Sequence, residues 1–224
     1  MPQGLWERSQ RDIIGRVTTS SRAFVRPYQP DDRDALFDIC VRTAHEGGDS
    51  RHRYPDLELL PSIFAAPYAC LEPELAFVVD DGERAVGYIV GTADTPLFVE
   101  RYRTELLPEL ALRYPRPTPD REAATPSEAM VDLMHRPERM LVTELADYPA
   151  HLHIDLLPGL QRQGHGRELM TAFLAALHTQ GVPRVHLGMV TANTPARAFY
   201  DRLGFHELAV PDPGPLTYLG RSTT

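Results

Sequence analysis

The segment His151-Leu152-His153-Ile154-Asp155-Leu156-Leu157, the loop Gln161-Arg162-Gln163-Gly164-His165-Gly166 and the run Asn193-Thr194-Pro195-Ala196-Arg197-Ala198-Phe199-Tyr200-Asp201-Arg202-Leu203-Gly204-Phe205 decide the fold. The first alternates so that Leu152, Ile154 and Leu156 share one face of a strand while His151, His153 and Asp155 share the other. Between them, Gly164 to Thr179 carries Leu169, Met170, Phe173, Leu174 and Leu177 on one stripe, as a helix lying on a sheet requires. Arg184 to Val190 reads as the next strand, and the helix after it starts near Pro195 and stops at Gly204. Strands near His206–Val210 and Leu216–Gly220 close a βαβ-based unit.

Toward the N-terminus the pattern is less regular. Ala23 to Arg26 is a short strand, and Pro30-Asp31-Asp32 starts a helix from Arg33 to Arg42 with Leu36, Ile39, Cys40 and Thr43 inward. Pro55, Pro61, Pro67 and Pro73 cut the following stretch into short pieces. Leu75–Val79 and Ala85–Thr92, around Asp80-Asp81-Gly82-Glu83, form an antiparallel hairpin. Seven of the 21 prolines lie between Pro96 and Pro137, yet Phe98, Tyr102, Leu106, Leu110 and Ala111 keep helical spacing. Residues 96–148 are therefore an inserted helix, a Pro-, Glu- and Arg-rich loop and a second short helix from Ser127 to His135. About 50 residues so rich in proline bury too little surface to fold alone.

Composition removes several chemistries. All 23 basic residues of the 224 are Arg, so no internal amine exists for pyridoxal-phosphate enzymes, Schiff-base aldolases or a Gly-Lys-Ser/Thr phosphate loop. A net charge of −8 supplies no field for a polyanionic backbone, and no nucleic-acid partner is expected. Cys40 and Cys70, 29 residues apart in intervening sequence, make neither a zinc ribbon nor a disulfide framework. Residues 1–22 mix Arg and Glu through a polar arm unlike a secretory signal, and no run reaches 18 apolar residues. The expectation is a soluble, cytoplasmic chain with no membrane partner.

The chemistry sits at two places. The loop Gln161–Gly166 joins a strand to a helix start, where free N–H groups and the dipole make an anion site, or else a plain turn. On the strand, Asp155 is positioned either as a desolvated base or as a structural hydrogen-bonding group. The run His151-x-His153-x-Asp155 also raises a rival reading, a zinc hydrolase, but Leu156 stands where such enzymes place another His. The reading here is that the chain binds no metal.

Together, the Gly-rich loop and the Asn193 to Phe205 run resemble the acetyl-CoA signature of the GCN5-related N-acetyltransferase (GNAT) superfamily. Val86-Gly87-Tyr88-Ile89-Val90-Gly91-Thr92-Ala93-Asp94, Leu106-Leu107-Pro108, Arg113-Tyr114-Pro115 and Tyr148–Asp155 narrow the resemblance. They look like the acetyltransferase-like domain at the C-terminus of O-GlcNAc hydrolases and its free-standing bacterial relatives. Eukaryotic members depart from the Gly-rich loop; this chain keeps it.

The resemblance implies a mixed α/β fold whose central sheet, flanked by helices, splays between strands 151–157 and 184–190. The Pro-rich helical insertion precedes the cofactor-binding strand. An arm at 1–22 would precede one domain at 23–221. Acetyl-CoA would be the acetyl donor, with its pyrophosphate on the N–H groups of Gln163, Gly164, His165, Gly166 and Arg167. Gln161 and Arg162 complete that loop, with Arg162 or Arg167 adding charge. Backbone groups of Leu156 and Leu157 would meet the pantetheine amides, and Asn193 would bond the cofactor chain or cap its helix. Tyr200 would protonate the departing thiolate, and Asp155 would deprotonate a small-molecule or peptide amine, an acidic chain slightly favouring a cationic one. An acetyl-CoA-binding module without turnover is the alternative. Oligomeric state is not legible.

Overall fold

A computed structural model of the protein describes residues 23–45, 47–116 and 125–224; the arm at 1–22 and residues 117–124 of the Pro-rich loop lie outside the described residues. One seven-stranded sheet organises the chain. Its strands are β1 (Phe24–Pro27), β2 (Phe77–Asp80), β3 (Ala85–Thr92), β4 (Ala150–Leu156), β5 (Arg184–Val190), β6 (His206–Leu208) and β7 (Leu216–Ser222). Their spatial order is β1-β2-β3-β4-β5-β7-β6, and every neighbouring pair is antiparallel except β4 and β5. A parallel pair needs a crossover, which helix α7 (His165–Thr179) supplies.

The β4–β5 pair holds the functional geometry. Each strand has seven residues, yet they pair only at Ala150↔Val185 and His151↔His186 and then separate. β5 pairs with β7 over its whole length, and β3 pairs with β4 from Gly87↔Leu156 to Thr92↔His151. The sheet is thus splayed at one place, with firm ladders on both sides of the gap.

The two faces are covered differently. The stripe Leu169, Met170, Phe173, Leu174 and Leu177 of α7 is buried against β1 to β4, and the Phe173 ring occupies the space beside Gly91 that a Cβ would need. On the opposite face lie α1 (Arg33–Thr43), with Leu36, Ile39, Cys40 and Thr43 buried as its spacing predicts, and the short helices α2 (Pro61–Phe64) and α3 (Ala66–Leu71).

The inserted helix contains a departure from sequence expectation. Instead of one α-helix from Leu97 to Tyr114, α4 (Thr95–Arg101) passes through a π turn at Tyr102–Leu106 into α5 (Leu107–Arg113). Pro108 supplies the reason: its ring clashes with a carbonyl one turn earlier and it has no N–H to donate, so the register widens just before it. Helix α6 (Pro126–Met134) follows, capped by the Thr125 side chain. The excursion closes where Thr95 donates both its N–H (2.8 Å) and its hydroxyl (2.7 Å) to the Pro149 carbonyl. Phe98, Tyr102, Tyr114 and Met134 join the same core as the sheet. No described helix is long and apolar enough to cross a membrane.

Candidate active site

The loop ahead of α7 is built to leave donors free. Gln161 N–H bonds the Pro158 carbonyl, while Arg167 and Glu168 N–H both bond the Gly164 carbonyl. Among the described residues, the five consecutive amides of Arg162, Gln163, Gly164, His165 and Gly166 have no backbone partner. They stand at the positive end of a 15-residue helix, a natural anion cradle. Because the Arg167 N–H is already used, the free set sits one residue earlier than the sequence suggested. Side chains brace the loop, with Gln161 donating to the Leu156 carbonyl (3.1 Å) and Gln163 to the Gly159 carbonyl (2.6 Å). The His165 ring turns inward and meets Glu168 at 3.1 Å, leaving only its backbone on the loop surface.

The two loop glycines have different reasons. Gly164 has φ +97°, a left-handed conformation that disfavours a side chain although the space beside it is open. At Gly166 a Cβ would lie 3.0 Å from the Phe199 ring, so this glycine lets α7 approach helix α8 (Thr194–Arg202). Asn193 caps α8, its side-chain oxygen accepting from the Ala196 N–H at 3.1 Å.

Strand β4 presents its backbone to the gap in alternation. Leu157 N–H bonds the Val86 carbonyl at 3.1 Å, which fixes the odd-numbered groups toward β3. Ile154 and Leu156 therefore direct their amides into the gap. Leu157, a candidate from sequence, has its N–H already bonded to Val86 and its carbonyl to the Leu160 N–H (2.9 Å).

Side chains on the odd face form an ordered chain of hydrogen bonds. Since the Thr95 hydroxyl proton goes to Pro149, the His151 Nδ1, 2.8 Å from that oxygen, must donate to it. Burial pushes the His151 pKa well down, so the ring is neutral and its Nε2 accepts from the Tyr68 hydroxyl at 2.8 Å. The Tyr68 oxygen then accepts from His153 Nε2 at 3.1 Å. His153 is held neutral too, lowered to about 4 by burial and then by the Arg139 cation. Both Nε2 atoms that a zinc site would use are committed, and among the described residues no group of His, Cys, Asp and Glu is placed to hold a metal.

Asp155 lies two residues further along, where the sheet has opened. Burial raises its pKa from 3.8 to about 6, against the hydrogen bond that the Tyr88 hydroxyl donates to it at 2.7 Å. Such a carboxylate is ionised at neutral pH yet basic enough to take a proton. Tyr200, on α8, is buried between Phe199 and Phe205, with ring centroids 5.2 Å and 5.5 Å away. Among the described residues its hydroxyl makes no hydrogen bond. Its pKa is raised by burial and then by the Asp155 carboxylate, so the phenol stays protonated within electrostatic reach of that carboxylate.

Sequence reasoning missed Tyr68, Tyr88 and Arg139. Tyr88 lies in the stretch Val86–Asp94, but its role follows from the register Tyr88↔Asp155, which no local pattern encodes.

Comparison with known proteins agrees with this architecture. The profile of the acetyltransferase (GNAT) family matches residues 134–205, from the end of the insert through the glycine-rich loop and α8. The crystal structure of SsHAT is 65% identical, with a TM-score of 0.86 over 90% of this chain and 98% of that one. The chain belongs to the GNAT family. It is also 23% identical over 209 residues to Protein O-GlcNAcase of Rattus norvegicus, covering 92% of this chain and 23% of that protein. The chain therefore spans about a quarter of that relative's length, in its C-terminal region. A PaiA N-acetyltransferase from Thermoplasma acidophilum, solved in complex with coenzyme A, shares the fold at 11% identity with a TM-score of 0.54. Acyl transfer is the class of chemistry that this family performs.

Proposed function

We propose that the protein is an acetyl-CoA-dependent N-acetyltransferase that moves the acetyl group directly to an amine acceptor. The observation carrying this reading is the gap between β4 and β5, with Asp155 on one wall and Tyr200 within electrostatic reach of it. The chain's own groups fit the donor: the free amides of Arg162 to Gly166 suit a pyrophosphate, and Ile154 and Leu156 offer strand amides to a pantetheine chain. Arg162 and Arg167 are exposed and pair with no carboxylate among the described residues, so either adds charge at the loop.

When bound, acetyl-CoA supplies a thioester activated toward attack. The acceptor attacks as the free amine: Asp155 takes the proton its nitrogen sheds as the C–N bond forms, Tyr200 delivers a proton to the sulfur as the C–S bond breaks, and a gap-facing strand amide polarises the carbonyl. The ammonium proton goes to solvent before attack, and the proton gained by Asp155 afterwards restores Tyr200, so each turnover balances. His153, with Nδ1 free of partners among the described residues, is the second candidate base.

The test is a pair of measurements on the purified chain. Acetyl-CoA should raise the melting temperature by mass action, and CoA thiol should appear when amines are supplied. Binding without release against every amine would establish the binding-module alternative, and no melting shift would remove the whole reading.

A further inference from the structure

The insert leaves one polar feature unexplained by the acetyl-transfer machinery. Tyr102, in the π turn, is 3% exposed, and its hydroxyl is shut off from solvent with no hydrogen-bond partner among the described residues. It faces a cavity of about 10 Å³, room for one water or one anion oxygen, whose wall includes Phe98, Pro137, Arg139 and Met140. The Arg139 Nε donates to the Leu133 carbonyl at 3.4 Å, and no carboxylate pairs with the guanidinium among the described residues. Neighbouring arginines are paired, Arg136 with Asp132 and Arg103 with Glu138.

Arg139 reaches electrostatically to residues on both sides of the opening of the sheet. Tyr68 of α3, Tyr102 of the insert, His151 and His153 of β4 and Tyr218 of β7 all lie within electrostatic reach of it. Tyr218 sits across the gap, its ring 3.2 Å from where a Gly188 Cβ would stand on β5. Arg139 is exposed at the surface, and the crowding around its guanidinium lowers its pKa by desolvation. From His153 to Asp155 is about 7 Å along the strand.

We infer that the Arg139 guanidinium and the Tyr102 hydroxyl form an anion-binding end of the acceptor site, so that the acceptor is an amine also carrying a carboxylate or phosphate. This rests on the amine-acetylation reading and reverses the bias toward purely cationic amines that the overall charge suggested. The amine reaches Asp155 while the anionic group meets Arg139, with an anion oxygen accepting the Tyr102 proton. A plain alkylamine satisfies only half of the site.

The test uses the full chain saturated with CoA and measures binding by calorimetry, so turnover is not required. The probes are ω-amino carboxylates, ω-aminoalkyl phosphates and alkylamines of matched length, with roughly four to six atoms between the two groups to span the distance above. At least one anionic series should bind about tenfold to a hundredfold more tightly than its alkylamine, the range that charge-assisted hydrogen bonds supply. Whether carboxylate or phosphate leads identifies the source of the anion. Arg139→Gln should erase the preference, and Tyr102→Phe should weaken it severalfold while the fold holds, since that hydroxyl has no partner to lose. Equal binding by alkylamines, no binding by any series, or discrimination surviving in Arg139→Gln overturns the inference. The melting shift with acetyl-CoA, read on the same samples, separates the two proposals: an intact shift without anion preference removes the inference alone.

Discussion

Asp155→Asn should make the protein more stable at neutral pH while removing most of its activity. In the fold the carboxyl titrates near 6, against about 3.9 in an unfolded chain, so the native state disfavours the ionised form. The sign follows directly. Below about pH 4 both states hold the proton and nothing is lost; between about 4 and 6 the unfolded state ionises first; above about 6 the full penalty, about 3 kcal/mol, is present. Asn removes that penalty but replaces a charge-assisted bond from Tyr88 with a neutral one, which costs roughly 1 kcal/mol. A net gain of about 1–2 kcal/mol remains, or roughly 2–8 °C in melting temperature for a domain of this size. Denaturant unfolding of parent and variant at pH 8 and pH 4.5 should show the gain only at the higher pH. In the parent, kcat/KM for acetylation of an amine should fall tenfold per pH unit below about 6, and the variant should lack that limb. Tyr88→Phe removes the bond that holds the carboxyl down, so its limb should move to higher pH. A variant less stable than the parent at pH 8, with an unchanged pH profile, would refute the assignment of Asp155 as a desolvated base.

Other perturbations test separate parts of the site. Tyr200→Phe should lower turnover by roughly tenfold to a thousandfold with acetyl-CoA affinity unchanged, as steady-state kinetics beside calorimetry will show; unchanged turnover would leave Tyr200 a packing residue. Gly166→Val should diminish the acetyl-CoA melting shift, because its Cβ would meet the Phe199 ring at 3.0 Å and push α8 from the loop. Gly164→Val should cost about 1–2 kcal/mol in denaturant unfolding from its left-handed backbone alone. Tyr68→Phe strips a hydroxyl shared by the buried His151 and the half-buried His153 and should cost about 1–3 kcal/mol, while dialysis against a chelator should leave melting temperature and activity unmoved.

Local chemistry made much of this molecule legible in advance. The stripe of α7, the hairpin of β2 and β3, the bounds of β5 and the inward residues of α1 follow from periodicity, because burying one face of an element fixes which residues repeat. The run of free amides ahead of α7 and the capping of α8 by Asn193 follow from helix-end chemistry, which is equally local. The parity placing His151, His153 and Asp155 together needed only the pleat of a strand. Tertiary structure decided the rest. The partnership of Asp155 with Tyr88 spans 67 positions and exists only through antiparallel register, which depends on every ladder beyond it. The protonation of the two histidines rests on Thr95 and Pro149, brought together where the insert closes, and on Tyr68 of α3. Arg139 reads locally as one arginine among many in a charged stretch. What distinguishes it is its reach to both sides of the parted strands, beside a tyrosine hydroxyl left without a partner, because long-range packing sets which side chains meet and which polar atoms go unmatched.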